Sequence, residues 1–246
     1  MTTLFISDLH LESARPDIAA QFIRFLKSEA ESADALYILG DLFESWVGDD
    51  DPDEHYAVIK KAIRALVDSG TPVFFMHGNR DFMIGAEFAA ETGITLLTDP
   101  HRANIEGADV LLSHGDALCT DDVEYQKFRL MTRNPQWQAM MLQKSLPERQ
   151  AFAKQARAAS MQHGKSINPV IADVNQSAVE SFMTKHGADL LLHGHTHRPA
   201  VHELTLDQKP ATRIVLGDWY EQGSVVRWDE NGPVLAVLKR DRVRGQ

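Results

Sequence analysis

Seven side chains of metal-binding type stand at the ends of five short apolar runs. They are Asp8 and His10 in FISDLH, Asp41 in YILGDLFES, Asn79 in FFMHGNRD, His114 in LLSHGD, and His195 with His197 in LLHGHTHRP. Mixed carboxylate, amide and imidazole donors in this number suit two adjacent divalent ions. Asp8-x-His10 puts both side chains on one side of a strand or of the turn after it, and His195-x-His197 repeats that spacing. Asp41 follows a glycine and is a carboxylate placed to bridge. Asn79 and His114 each adjoin a glycine that lets the backbone come close. The expected partition puts Asp8, His10, Asp41 and His197 on one ion and Asp41, Asn79, His114 and His195 on the other. The ions would lie about 3.5–4 Å apart and share a bridging hydroxide nucleophile. A lone D-x-H or H-x-H is in most chains a capped strand end; five blocks in order at five strand ends say far more.

These groups need a scaffold that ends several strands at one edge. Residues 4–10, 35–41 and 71–79 read as buried strands. Between them, Ile18, Phe22, Phe25, Leu26 and Ala30 recur at helical spacing, as do Tyr56, Ile59, Ile63 and Leu66, with Gly70 as a stop. This β-α-β-α-β order predicts a parallel sheet with covering helices. Further strands are expected over 108–116, 188–195 and 212–220, then a hairpin over 223–239 that turns at Glu230-Asn231-Gly232. The antiparallel tail makes the expected fold α/β (α+β), a two-sheet core flanked by helices. Sites in such folds lie in loops at the carboxyl ends of strands.

The 246 residues suit a single domain, 1–246, with an insertion. A net charge of −10 argues against a general nucleic-acid binder. The single cysteine, Cys119, excludes an internal disulfide and fits the cytoplasm. The opening MTTLFISDLH has no signal-peptide pattern, and no run approaches about 18 uninterrupted apolar residues, so no spanning helix is expected.

Residues 120–185 show little strand signal and are helical, Met-rich and Gln-rich. Within 125–166, eight basic residues (Lys127, Arg129, Arg133, Lys144, Arg149, Lys154, Arg157 and Lys165) face one acid, Glu148. The same stretch carries Phe128, Leu130, Met131, Trp137, Met140, Met141, Leu142, Leu146, Phe152 and Met161. A basic, apolar helical insertion beside a metal site reads as a lid for an anionic amphiphile. An ordinary helical subdomain with a solvated basic face is the competing account.

The blocks DLH, GD, GNRD, HGD and GHTH resemble the signature of the calcineurin-like metallophosphoesterases over nearly the whole core. The resemblance implies a β-sandwich flanked by helices and a dinuclear Mn, Fe or Zn centre. Phosphatases of that superfamily mostly read GNH where this chain reads GNRD. Their histidine is thought to protonate an alkoxide leaving group; here the position is Arg80. A guanidinium stays charged and donates no proton near neutrality. A phosphate leaving group, with a second pKa of about 6, needs none. Arg80 therefore points to a pyrophosphate bond, with an ion pair to Asp81 as its structural alternative.

The longer blocks LYILGDLFESWVGDDD, HGNRDFMIG, HGDALCTDD, DVNQ and HGHTHRPAVHEL are similar to those of the UDP-2,3-diacylglucosamine diphosphatase branch of that superfamily, in lipid A biosynthesis. That similarity implies Mn-dependent hydrolysis with two Mn²⁺ per chain, and water attack on the α-phosphorus to give UMP and 2,3-diacylglucosamine 1-phosphate. It implies a peripheral protein on the cytoplasmic face of the inner membrane, with no obligate protein partner. It gives Arg80, His195 and Asp41 catalytic roles, sets Asn79, Arg80 and His195 against the phosphates, and adds Asp122 and Ser160 as substrate contacts. The branch also uses positions four and seven beyond that serine, the second a lysine. Here these are Gly164 and Ile167, and Lys165 is the nearby substitute. Another phosphodiesterase or nuclease of the superfamily, and a non-catalytic scaffold, are the alternatives. His77, His202, Arg198, Pro199 and Cys119 read as structural, Phe43 and Trp46 as core packing or as lining of an acyl cavity, and Gly217-Asp218-Trp219 as a strand end backing the site.

Overall fold

The computed structural model describes residues 2–166, 171 and 173–240. The first half of the chain is β1 (Thr3–Ile6), α1 (Pro16–Ser28), β2 (Ala35–Ile38), α2 (Glu54–Asp68), β3 (Val73–Met76), α3 (Ala86–Thr92) and β4 (Thr95–Leu97). These strands pair in parallel in that order. The C-terminal hairpin β10 (Gly223–Asp229) and β11 (Gly232–Leu238) extends the sheet antiparallel from β1. The second sheet has the order β5 (His101–Ile105), β6 (Ala108–Leu112), β7 (Leu190–His193), β9 (Lys209–Val215), β8 (Ala200–Leu206). The helices α4 (Val123–Thr132), α5 (Pro135–Leu142), α6 (Leu146–Ser166) and α7 (Gln176–His186) lie between β6 and β7 in sequence.

Alternation along each strand builds the layers. Leu4, Ile6, Leu36, Ile38, Val73 and Phe75 face outward onto Ile18, Phe22, Ile59 and Ile63 of the covering helices. Phe5, Tyr37, Met76, Val110, Leu112, Leu192 and Ile214 face inward between the two sheets. Leu111 and Leu191 point out on the far side, where Val179 and Met183 of α7 cover them. Thus α7 packs on the second sheet, whereas α4–α6 stand over the loops. α6 is tied to the core by Arg149, whose Nη1 donates to the Val47 carbonyl at 2.6 Å and which also pairs with Asp50.

Three strands and a helix escape the periodicity reading: β4, β5, β8 and α3. β4 has three residues, too few for a pattern. β5 and β8 are edge strands whose exposed faces carry Arg102, Asn104, Val201 and Glu203. The local code is otherwise legible. Pro16 and Pro135 open helices, Asp53, Asp122, Asn134 and Asn175 accept hydrogen bonds as N-caps, and Gly93 and Gly187 close helices in the left-handed conformation. Among the described residues, no helix is long and apolar enough to cross a membrane.

Candidate metal centre

Both sheets deliver loops to the same edge. Asp8 and His10 follow β1, Asp41 follows β2, Asn79 follows β3, His114 follows β6, and His195 and His197 follow β7. Five of these seven residues have left-handed backbones: Asp8 (φ 56°), His10 (52°), Asp41 (53°), His195 (69°) and His197 (56°). Non-glycine residues rarely adopt that region, at about 1–3 kcal/mol each. The strands end before the motifs begin, so a tight left-handed turn, and not strand alternation, brings Asp8 and His10 together. Loop-to-loop bonds hold these turns: Asp8 N–H to Gly40 O (3.0 Å), His10 N–H to Asp41 O (3.0 Å) and His195 N–H to Asp8 Oδ2 (2.9 Å). Glycine is required at two contacts. A Cβ on Gly78 would lie 2.1 Å from Asp41 Oδ1, and one on Gly194 would lie 2.3 Å from Asp8 Oδ2.

The structure brings all seven groups to one pocket. His10 Nε2 faces His197 Nε2 at 3.1 Å and Asp41 Oδ2 at 3.9 Å. His197 Nε2 lies 3.4 Å from Asp8 Oδ1. Asn79 Oδ1 faces both His114 Nε2 (3.0 Å) and His195 Nδ1 (2.8 Å), and His114 Nε2 lies 3.8 Å from Asp41 Oδ1. Donor atoms of Asp8, His10 and His197 lie within 4.8 Å of one another, as do those of Asp8, Asp41 and His114. Asp8 therefore belongs to both groups, alongside Asp41 as a carboxylate central to the cluster.

The charges in this pocket are strongly coupled. Burial alone would lower the pKa of His114, but the carboxylates of Asp41 and Asp8 carry it up to about 9. Burial and the charge of His114 take His195 down to about 4. Burial opposes ionisation of Asp8, yet the close His197 imidazole and those of His114 and His10 hold its carboxyl below the ordinary range.

Three observations test whether a divalent cation fits. Asp8 Oδ1 is buried without a hydrogen-bond partner. His114 Nδ1–H donates to the Leu39 carbonyl at 2.8 Å, which leaves Nε2, turned into the cluster, as the nitrogen that loses its proton to become a ligand. The His10 and His197 nitrogens converge as two ligands of one centre do. Oxygen and imidazole donors of this kind, turned inward and short of partners, fit a divalent ion.

Several neighbours were not read from the sequence. Glu44 Oε2 lies 3.0 Å from His10 Nδ1, and its other oxygen pairs with Arg157 of α6. Tyr220 stacks on His10 at 5.1 Å, and Tyr125 on His195 at 5.6 Å. The Tyr125 hydroxyl donates to buried Asp116 (2.8 Å), which also receives Arg129 (2.9 Å). Asp116 and Glu44 stand inside the HGD and GDLFES blocks, so their proximity to the ligands was the available signal. Asp218 Oδ2 lies 3.5 Å from His197 Nδ1, and Trp219 N–H donates to the Asp8 carbonyl at 3.1 Å, which makes that strand end a support for the ligands.

A cavity of about 440 Å³ opens beside the cluster, lined by Asn79, Arg80, Trp46, Phe128, Phe152 and Ser160 among others. Arg80 Nε is buried without a partner. The carboxylate of Asp81 is taken instead by the N–H groups of Gly78 (2.8 Å) and Leu42 (2.7 Å). Asp122 caps α4 and lies 2.9 Å from His163 Nε2. Gly164 and Lys165 belong to α6, with side chains outside the described residues, where Ile167 also lies. Phe43 is core, Trp46 is both core and cavity wall, His77 bonds the Ile84 carbonyl at 2.7 Å, and Cys119 is buried.

The family model for calcineurin-like phosphoesterases matches residues 1–199. A UDP-2,3-diacylglucosamine hydrolase of Stenotrophomonas maltophilia (strain K279a) is 50% identical over 98% of this chain and 100% of its own. One of Xanthomonas axonopodis pv. citri (strain 306) is 51% identical over 97% of this chain and 99% of its own. Among solved structures, an archaeal phosphodiesterase aligns over 97% of this chain and 100% of its own, at 14% identity and a TM-score of 0.49. With this cluster of ligand-type groups at the shared edge of two sheets, and relatives of this identity along its length, the chain belongs to the calcineurin-like phosphoesterases and is a metal-dependent hydrolase.

Proposed function

We propose that this chain hydrolyses the pyrophosphate bond of UDP-2,3-diacylglucosamine in lipid A biosynthesis, giving UMP and 2,3-diacylglucosamine 1-phosphate. The observation that carries this reading is a junction: the donor cluster opens, at Asn79 and Arg80, into a cavity walled by Trp46, Phe82, Phe128 and Phe152. One side suits an anhydride and the other acyl chains. The names of relatives at 50–51% identity support the same substrate.

Two Mn²⁺ are the proposed resident ions. Asp8, His10, Asp41 and His197 would hold one, and Asp41, Asn79, His114 and His195 the other. Bound there, they supply an activated water and Lewis acidity toward phosphoryl oxygens. The protein's own groups set the rest. The Arg80 N–H fixes Asp41 Oδ1 at 2.8 Å, and the Arg80 side chain lines the cavity with its Nε unpaired. As water adds to the α-phosphorus, the bond to the bridging oxygen breaks and the lipid phosphate leaves as an anion. It needs no proton donor, and Arg80 offsets its charge. His195, which burial keeps neutral, contacts the phosphates, Asp122 meets the glucosamine, and Ser160, Gly164 and Lys165 are the further substrate contacts proposed on α6.

The insertion carries exposed Leu130, Met131, Met140, Leu142 and Met161 with basic neighbours. This surface supports peripheral attachment to the cytoplasmic face of an anionic inner membrane. The test is UMP release from UDP-2,3-diacylglucosamine with Mn²⁺; no release at any Mn²⁺ concentration rejects the reading. Faster turnover of bis-p-nitrophenyl phosphate would assign a general phosphodiesterase instead. Arg80→Met should lower kcat by about 10²–10³-fold.

A further inference from the structure

The outer face of the second sheet bears a separate cavity of about 250 Å³, lined by Asp173, Thr196, Arg198, His202 and Arg213 among others. Its volume falls below the range of about 300–1,000 Å³ usual for drug-sized ligands, so it suits something small. Arg213 stands on β9 with its side chain 6% exposed, and its Nε is buried without a hydrogen-bond partner. Its Nη1 lies 3.2 Å from His193 Nε2. His193 Nδ1–H donates to the Gly194 carbonyl at 2.9 Å, so Nε2 is a neutral acceptor and brings no counter-charge. The one acid among the named lining residues, Asp173, is already engaged: one oxygen pairs with Arg198 and the other accepts the Val174 N–H at 2.7 Å. Thr196 Oγ1 is buried without a partner as well.

This guanidinium is set against a neutral imidazole, and the one carboxylate whose charge reaches it, Asp173, is clasped by Arg198, so two cations share a single anion and its burial is undercompensated. A guanidinium fork, a hydroxyl and an imidazole N–H together form the donor set that recognises a tetrahedral oxyanion. We infer that this cavity binds a phosphate-class oxyanion on Arg213, Thr196 and His202. Thr196 stands between His195 and His197, so an occupant braces the loop that presents two of the candidate ligands. Arg198, clasping Asp173, links the same loop to the chain entering α7.

Equilibrium binding of ³²P-labelled inorganic phosphate to the Mn²⁺-loaded full chain tests the inference. Wild type and variant are compared at equal Mn²⁺ content by elemental analysis, so that phosphate taken up at the metal centre cancels and the reading is their difference. Wild type should bind one more phosphate per chain than Arg213→Gln, and Arg213→Lys should recover part of the loss. If Arg213→Gln does not fold, Thr196→Val is the substitute and should weaken that binding about tenfold. A parallel arm with UMP distinguishes sources: extra uptake of both ligands assigns the site to the anion itself, and of UMP alone to nucleoside monophosphates. Equal stoichiometry and affinity for both ligands in wild type and variants overturns the inference.

Discussion

Glu44 joins two parts of the molecule through one carboxylate. One oxygen lies 3.0 Å from His10 Nδ1 and the other takes Arg157 from α6. Carboxylates in this position fix the orientation and basicity of a ligating imidazole. Glu44→Gln should therefore weaken Mn²⁺ binding by about 10–100-fold, read by calorimetric titration of the metal-free chain. His114 sets a pH dependence. Its pKa in the metal-free fold is about 9 against an ordinary 6.5, because Asp41 and Asp8 outweigh burial. A raised pKa gives stability that is fully present below 6.5 and lost as pH rises through 9. Metal needs the neutral ring, so loading at pH 7 expels a proton and tightens with pH, by up to about tenfold per unit from this group. Proton release measured in buffers of different ionisation enthalpy checks this; release near zero at pH 7 would contradict it.

At the level of elements, the site depends on how strands end. Gly78 lies beyond β3 with no room for a side chain against Asp41, since a Cβ would sit 2.1 Å from Oδ1. Gly78→Ala should displace Asp41 and lower metal occupancy at least about tenfold, by elemental analysis, while far-UV circular dichroism stays near wild type. The strands themselves were legible as short apolar runs such as LYIL before Gly-Asp, but not their ends: the expected strands ran on to residues 10, 41 and 79, whereas β1, β2 and β3 stop at Ile6, Ile38 and Met76. The left-handed turns after them were not legible either. Asp and His enter the left-handed region more readily than most residues, but their types do not demand φ near +55°; the neighbouring loops fix it through bonds such as Asp8 N–H to Gly40 O. Edge strands β5 and β8 were invisible for another reason: burial alternates along them, but the covered faces of HRANI and AVHELTL hold small or polar residues such as Ala103, Ala200 and His202, so the sequence shows little apolar period.

For the whole molecule, the distribution of charge matters more than its sum. A chain of net −10 holds eight basic residues against one acid over 125–166; Arg129, Arg133, Arg149 and Arg157 pair with acids of the core and its loops, and Lys127, Lys144 and Lys154 are exposed with Leu130 and Met140, which are 70% and 50% exposed. A local basic, apolar face is attracted to anionic lipid even when the total charge is negative. Co-flotation with phosphatidylglycerol vesicles should fall severalfold for a Leu130→Ser/Met140→Ser double variant and on raising salt from about 0.1 to 0.5 M, with metal content unchanged. Salt-independent flotation of the double variant would remove the proposed attachment.

The donor types, their order and their places after apolar runs are properties of the sequence alone. So are the helix caps and the insertion, since capping chemistry and composition act within a few residues. Which groups touch was decided only by the fold. His10 and His197 are 187 positions apart and meet at 3.1 Å because two sheets share a core that aligns their carboxyl ends. The same packing placed Glu44 behind His10, gave Asp81 to backbone N–H groups and not to Arg80, and buried Arg213 with its Nε unpaired. Periodicity reports which face of an element is apolar; it carries no information on which distant loop will lie against it.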